Sequence, residues 1–159
     1  MSEFTHRNAS LRDMGALWAL VRHAASDIPC SIESESDQER ALTEIMKCCT
    51  AELSLVALDA DRNLVGAVLA RRDELDWGLR DKVTINVSLA AVSAACRDEN
   101  LFKTLIDELR KRNAPIYIVA KPGEAQGLGD ALKGSGFSLV QSDECGELFK
   151  WEPAPAVAA

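Results

Sequence analysis

The sequence predicts one mixed α/β domain: a mostly antiparallel sheet of six to seven strands, flanked by about four helices. Three observations carry this. A chain of 159 residues with 47% hydrophobic content can bury a core without disulfide staples. Its first fifty residues repeat their apolar positions at helical spacing. Most of the rest alternates at the two-residue period of strands, broken by further helical stretches.

Taken in order, Ser10 with Asp13 reads as a capping box, and Leu11, Met14, Leu17, Trp18 and Val21 then recur on one helical stripe. "SDIPCSIESES" interrupts it with a loop of about ten residues, a length that often belongs to ligand-contacting loops. Ser36 with Glu39 is expected to open the second helix, whose Leu42, Ile45, Met46 and Cys49 share a face. Two apolar runs around Asp59 to Asn63 read as an antiparallel hairpin, because that segment carries turn chemistry.

From Lys82, the series Val83, Ile85, Val87, Leu89 alternates with Thr84, Asn86 and Ser88, as in a strand with two unlike faces. A third helix follows, with Leu101, Leu105 and Leu109 on one ridge beside Phe102 and Ile106. "PIYIVAK" is a short buried strand, "PGEAQGLGDALKGSG" a weak glycine-rich helix, and "FSLVQS" with "GELFKWE" a final strand pair. The domain is expected over residues 1–152, with 153–159 as a flexible Pro/Ala tail. A seventh strand requires the segment before the first helix to be extended.

A net charge of -7 opposes nonspecific nucleic-acid or anionic-membrane binding, which needs a basic face. Arg110, Lys111 and Arg112 close a helix, where cations favour the dipole. The five cysteines lack CxxC spacing and the first residues lack an apolar signal core, so a reducing cytoplasm is expected. Two histidines far apart in sequence give no metal motif.

The segment "VSAACRDENLFKTLIDEL" runs a strand into a charged turn and then a helix. A helix that starts where a strand stops aims free N–H groups and its positive dipole end beyond the strand, where anions collect. Asp98 and Glu99 oppose that field, and an N-capping Asp98 would use the same N–H donors that a phosphate would use.

With these elements, the chain resembles the GNAT superfamily of N-acetyltransferases over about residues 4 to 152. In that family a fourth strand ends in a valine-like residue, and Arg/Gln-x-x-Gly-x-Gly/Ala heads the third helix and wraps the pyrophosphate of acetyl-CoA. Val92 matches the strand end and Arg97 the first motif position, while Asn100 and Phe102 stand where the two glycines would. Gly136 and Phe137 match the family's later helix-to-strand corner, with Leu132 in place of its tyrosine and Ala125 in place of an asparagine. Phe102 is expected to pack into the core, because Ile106 lies four residues on along the same face.

The resemblance implies an acyl-CoA-dependent N-acyltransferase, with acetyl-CoA as co-substrate and a small-molecule or peptide amine as acceptor. The alternative is a catalytically degenerate module that binds a CoA derivative or a protein partner. Donor contacts would come from Ala90, Ala91 and Val92 on the strand, the Val92 amide serving the thioester oxygen, and from Arg97, Asp98, Glu99, Asn100, Leu101, Phe102 and Lys103 at the helix head. Asp73 or Glu74 would serve as base through water. Glu44, on the second helix, is expected to stand apart from the charged turn of Asp98 and Glu99. Neither nucleic acid nor a membrane is an expected partner, and a homodimer is left open.

Overall fold

The computed structural model describes residues 3–23, 34–72, 84–93, 101–120, 132–142 and 146–153. Seven strands form one sheet: β1 (Thr5–Asn8), β2 (Leu55–Leu58), β3 (Leu64–Arg72), β4 (Ile85–Val92), β5 (Ile116–Ala120), β6 (Ser138–Ser142) and β7 (Glu147–Trp151). Their spatial order is β1-β2-β3-β4-β5-β7-β6. Every neighbouring pair is antiparallel except β4 with β5, which run parallel. Three α-helices accompany the sheet among the described residues: α1 (Met14–His23), α2 (Glu35–Thr50) and α3 (Leu101–Arg110). The segment expected to form a fourth helix is described only at its end, where 132–134 are helical. No helix among the described residues is long and apolar enough to cross a membrane.

The alternation of β3 divides the interior between the two faces of the sheet. Val68 and Ala70 join a core with Leu101, Leu105, Ile106 and Leu109 of α3, while Ala67 and Leu69 join a second core with Leu17, Val21, Ile45 and Cys48 of α1 and α2. A parallel pair cannot be closed by a tight turn, so α3 carries the chain from β4 across one face to β5.

Asp59 explains the β2–β3 hairpin. Its carboxylate accepts the N–H groups of Asp61 (2.9 Å) and Asn63 (2.8 Å), which organises the turn from within. At the other end of the hairpin, Ser54, 1% exposed, accepts the Ala70 N–H at 2.9 Å and lies 2.9 Å from the Cys48 carbonyl, tying the end of α2 to β3.

Local details differ from the sequence reading in three places. First, α2 begins two residues earlier than expected, because Ser34 is its cap: the Ser34 hydroxyl accepts the Asp37 N–H at 3.1 Å. Glu35 and Asp37 then sit in the first turn, where carboxylates favour the dipole. Second, the buried face of α2 is Ala41, Ile45, Cys48 and Cys49, which leaves Met46 exposed. Leu11, expected on the first helical stripe, is also exposed.

Third, β4 does not keep one face. Leu69 pairs with Leu89 and Ala70 with Val87, so Ser88 is an extra residue bulged out of the ladder. Ile85 and Val87 therefore lie in the α3 core, while Leu89 lies in the α1–α2 core. A one-residue insertion reverses every later side chain of a strand, so Ala90 returns to the α3 side and Ala91 to the other.

Candidate functional site

Pairing between β4 and β5 covers only Ile85↔Ile116, Asn86↔Tyr117 and Val87↔Ile118. Beyond that point β4 continues to Val92, paired on its other side with β3 through Leu69↔Leu89, Val68↔Ala90, Ala67↔Ala91 and Gly66↔Val92. The parallel strands thus part at the Ser88 bulge, and the β5-facing edge of β4 has no strand partner among the described residues from there to its end. Strand geometry directs alternate N–H and C=O groups of this stretch towards the opening. Such an edge suits an extended ligand that carries its own amides.

The side chains of this stretch serve packing. Ala90 and Ala91 are 8% and 6% exposed, and Val92 packs against the α3 core. Whatever these three residues offer a ligand comes from their backbone.

The head of α3 lies beside the end of β4. Gly66, the partner of Val92, sits so close to Leu101 that a Cβ placed on it would come within 2.9 Å of Leu101 Cδ2. The missing side chain lets the first turn of α3 settle onto β3. That turn follows the end of β4, so its free N–H groups belong to the same end of the sheet as the opening.

Of the residues expected at this helix head, Leu101 is buried and Phe102 packs against the same core, as its spacing from Ile106 predicted. Lys103 is exposed. The side chain of Leu101 is therefore spent on the core, leaving its backbone as the group a ligand could reach. Arg97, Asp98, Glu99 and Asn100 lie outside the described residues, as do the expected bases Asp73 and Glu74.

The helix-to-strand corner has the backbone its sequence suggests. Gly136 takes φ +89, a conformation that favours glycine, and the Leu132 carbonyl accepts the N–H groups of Ser135 and Phe137, both at 3.0 Å. The Arg110 guanidinium holds this corner against the end of α3. It donates to the Ser135 carbonyl and lies 5.4 Å from the Phe137 ring centroid and 5.1 Å from that of Trp151. Leu132, in the tyrosine's place, is fully buried in the α3 core. It presents no group to a ligand.

A carboxylate that the sequence did not single out reaches the bulge. Glu44 Oε1 accepts the Ser88 hydroxyl at 2.6 Å and pairs with Arg71 Nε at 2.9 Å. Glu44 is thus in contact with β4 at the bulge, while the charged turn from which it was expected to stand apart lies outside the described residues. One turn along α2, burial pushes the Cys48 thiol up to about 11, so it stays protonated and belongs to the packing.

No family model and no curated protein matches the sequence. Solved structures do. The PaiA N-acetyltransferase of Thermoplasma acidophilum, in complex with coenzyme A, superposes with a TM-score of 0.67 at 17% identity, over 94% of this chain and 99% of that one. A GNAT-family acetyltransferase from Listeria monocytogenes gives 0.65 at 16% identity, over 94% of each chain. The chain has the GNAT fold. Arabidopsis thaliana Naa50, in complex with the bisubstrate analogue CoA-Ac-MVNAL, shares it with a TM-score of 0.67 at 14% identity, over 94% of this chain and 98% of that one.

Proposed function

We propose that this GNAT-fold chain is an acyl-CoA-dependent N-acyltransferase that moves an acetyl group from acetyl-CoA to an amine. The observation that carries the reading is the parting of β4 from β5 at Ser88, with the head of α3 at the open end. The amide-rich arm of acetyl-CoA fits an unpaired strand edge, and its pyrophosphate fits the helix head, where exposed Lys103 adds positive charge. Two neighbours of the same fold, the Thermoplasma and Arabidopsis proteins, were solved with CoA or a CoA conjugate.

In the reaction, the amine nitrogen attacks the thioester carbonyl carbon, the C–S bond breaks, and CoA leaves as its thiolate. The chain's share is to hold the two reactants in line, with an N–H of the Ala90–Val92 edge, assigned to Val92, donating to the carbonyl oxygen as it gains charge. The amine proton leaves to solvent water; the expected bases Asp73 and Glu74 lie outside the described residues, and Arg72, before them in the chain, pairs with Ile85, about 20 Å along β4 from the Ala90–Val92 edge. With Leu132 in the core, no side chain is assigned to protonate the sulfur, and a thiolate can depart without that help because thiols are acidic by the standard of leaving groups.

Thermal melting with acetyl-CoA tests the reading. At a hundred times its dissociation constant, a ligand adds about 2.7 kcal/mol, which raises the midpoint by several degrees in a domain of this size. Release of free CoA thiol on adding an amine panel then reports transfer. An unchanged midpoint at millimolar acetyl-CoA sinks the proposal and favours the partner-binding module.

A further inference from the structure

The opposite end of β4 carries a second cleft, of about 690 Å³, between the C-terminal end of α2 and the ends of β3 and β4. Such a volume is ample for a small ligand. Its described lining is cationic. In a protein of net charge -7, four of the ten described lining residues are cations, Lys47, Arg71, Arg72 and Arg112, against one carboxylate, Glu52. A neighbouring cleft of about 600 Å³ shares Arg72 and Arg112 and adds Lys150, itself paired with Glu152 at 2.6 Å.

The partners of these cations are unequal. Arg71 is held by Glu44 at 2.9 Å, and Arg112 reaches the Glu52 carbonyl at 3.4 Å. Among the described residues, no carboxylate pairs with Lys47 or Arg72. Like charges gathered around a concave surface repel one another and raise the local attraction for an anion. Guanidinium groups supply flat pairs of N–H donors that match carboxylate and phosphate oxygens.

Ser88 lines this cleft and is also the bulge at which β4 leaves β5. The cleft therefore meets the acyl-donor opening at one residue. Arg72 pairs with Ile85, five to seven residues before Ala90 and Val92, which at strand rise is a separation of about 20 Å from the edge assigned to the carbonyl.

We propose that this cleft holds the acidic group of the acceptor, so that the amine receiving the acyl group belongs to a molecule that also carries a carboxylate or phosphate about 20 Å away. This rests on the acyltransferase reading and adds the substrate class to it. The cations take the acid, and the amine end of the same molecule extends along β4 past Ser88 towards the Ala90–Val92 edge.

The test has two arms. In the first, inorganic phosphate is titrated into the protein and followed by amide chemical shifts, with Arg72→Gln/Arg112→Gln as the variant. Both arginines are exposed, so the variant is expected to melt close to the wild type. The expected result is movement of the Arg71, Arg72, Asn86 and Ser88 amides, with affinity reduced about tenfold or more in the variant. Absence of those shifts, or equal affinity in the variant, overturns the anion site.

In the second arm, acetyl transfer is measured on C-terminally amidated hexapeptides of five alanines followed by glutamate, phosphoserine, glutamine or arginine, which share one amine and differ in charge. The acidic peptides should lead the glutamine peptide by about tenfold in kcat/KM, mainly through KM, and lose that lead in the variant. Whichever acidic peptide leads identifies carboxylate or phosphate as the recognised group. Acetyl-CoA binding with transfer fastest to the arginine peptide overturns the acceptor assignment alone. Phosphate binding at the cleft without any acetyl-CoA binding removes the acyltransferase reading, and the acceptor assignment with it.

Discussion

The Ser88 hydroxyl donates to Glu44 Oε1 at 2.6 Å across 44 residues of sequence, fastening α2 to the bulge at which β4 turns away from β5. The same oxygen holds Arg71 at 2.9 Å, so one carboxylate joins the bulge to the basic cleft. Glu44→Gln keeps the shape and removes the charge. Arg71 is half in solvent, which screens the pair. The expected loss of stability is about 1 kcal/mol, or a midpoint lower by about 2–4 °C. Acceptor KM should rise more than kcat falls, because Glu44 positions Arg71 and Ser88. Steady-state kinetics of the variant that match wild type would show the contact to be structural decoration.

Leu132→Tyr bears on whether the corner's lost tyrosine could be restored. The leucine is fully buried against α3, so a phenol there must displace core atoms before it can reach any ligand. The variant should lose about 1–3 kcal/mol to overpacking, with no gain in turnover. Chemical denaturation and a thiol-release assay check both halves. A variant as stable as wild type that turns over faster would contradict the placement of Leu132.

Acid should loosen the N-terminal corner. Asp13 accepts both guanidinium nitrogens of Arg7, at 2.8 and 2.7 Å, and the Ser10 N–H at 2.8 Å. Hydrogen bonding to Arg7, followed by the Ser10 amide, holds its carboxyl below the usual value, against the opposing effect of burial. A depressed folded pKa contributes stability that is present above the unfolded value, near 3.9, and is lost as pH falls through the lower folded value. Asp13→Asn should therefore be less stable than wild type at neutral pH, with the gap narrowing below about pH 4. Melting midpoints of both proteins from pH 7 to pH 2 measure it. A gap that stays constant over that range would contradict the linkage.

What the sequence revealed and what it concealed follow from the range of the interactions. The β2–β3 hairpin was legible because Asp59 organises its own turn through Asp61 and Asn63, all within five residues. Phe102 was legible as a core residue because its partner on the helix is four residues away. The face reversal of Leu89 was not legible, since alternation in β4 looks unbroken and the bulge exists only in its pairing with β3. Glu44 was missed for the same reason: its contacts, Ser88 and Arg71, come from other elements, and on α2 itself it looks like one more solvated carboxylate. At the opening the strand edge acts through its backbone, so Ala90, Ala91 and Val92 carry no side-chain signature of the role assigned to them.

The proposed function requires a CoA pyrophosphate at the head of α3, and calorimetric titration of acetyl-CoA into charge variants of the turn before it is the most direct test. Asp98→Asn keeps a capping oxygen, Glu99→Gln keeps the volume, and Asp61→Asn in the exposed β2–β3 turn is the remote control. Each charge near a helix N-terminus is worth about 0.3 to 1 kcal/mol. Removing Asp98 or Glu99 should therefore tighten acetyl-CoA binding roughly two- to five-fold at low salt, and less as screening grows, with Asp61→Asn unchanged. No binding heat from the wild type, or equal affinity across all the variants, would contradict a donor seated on β4 and α3.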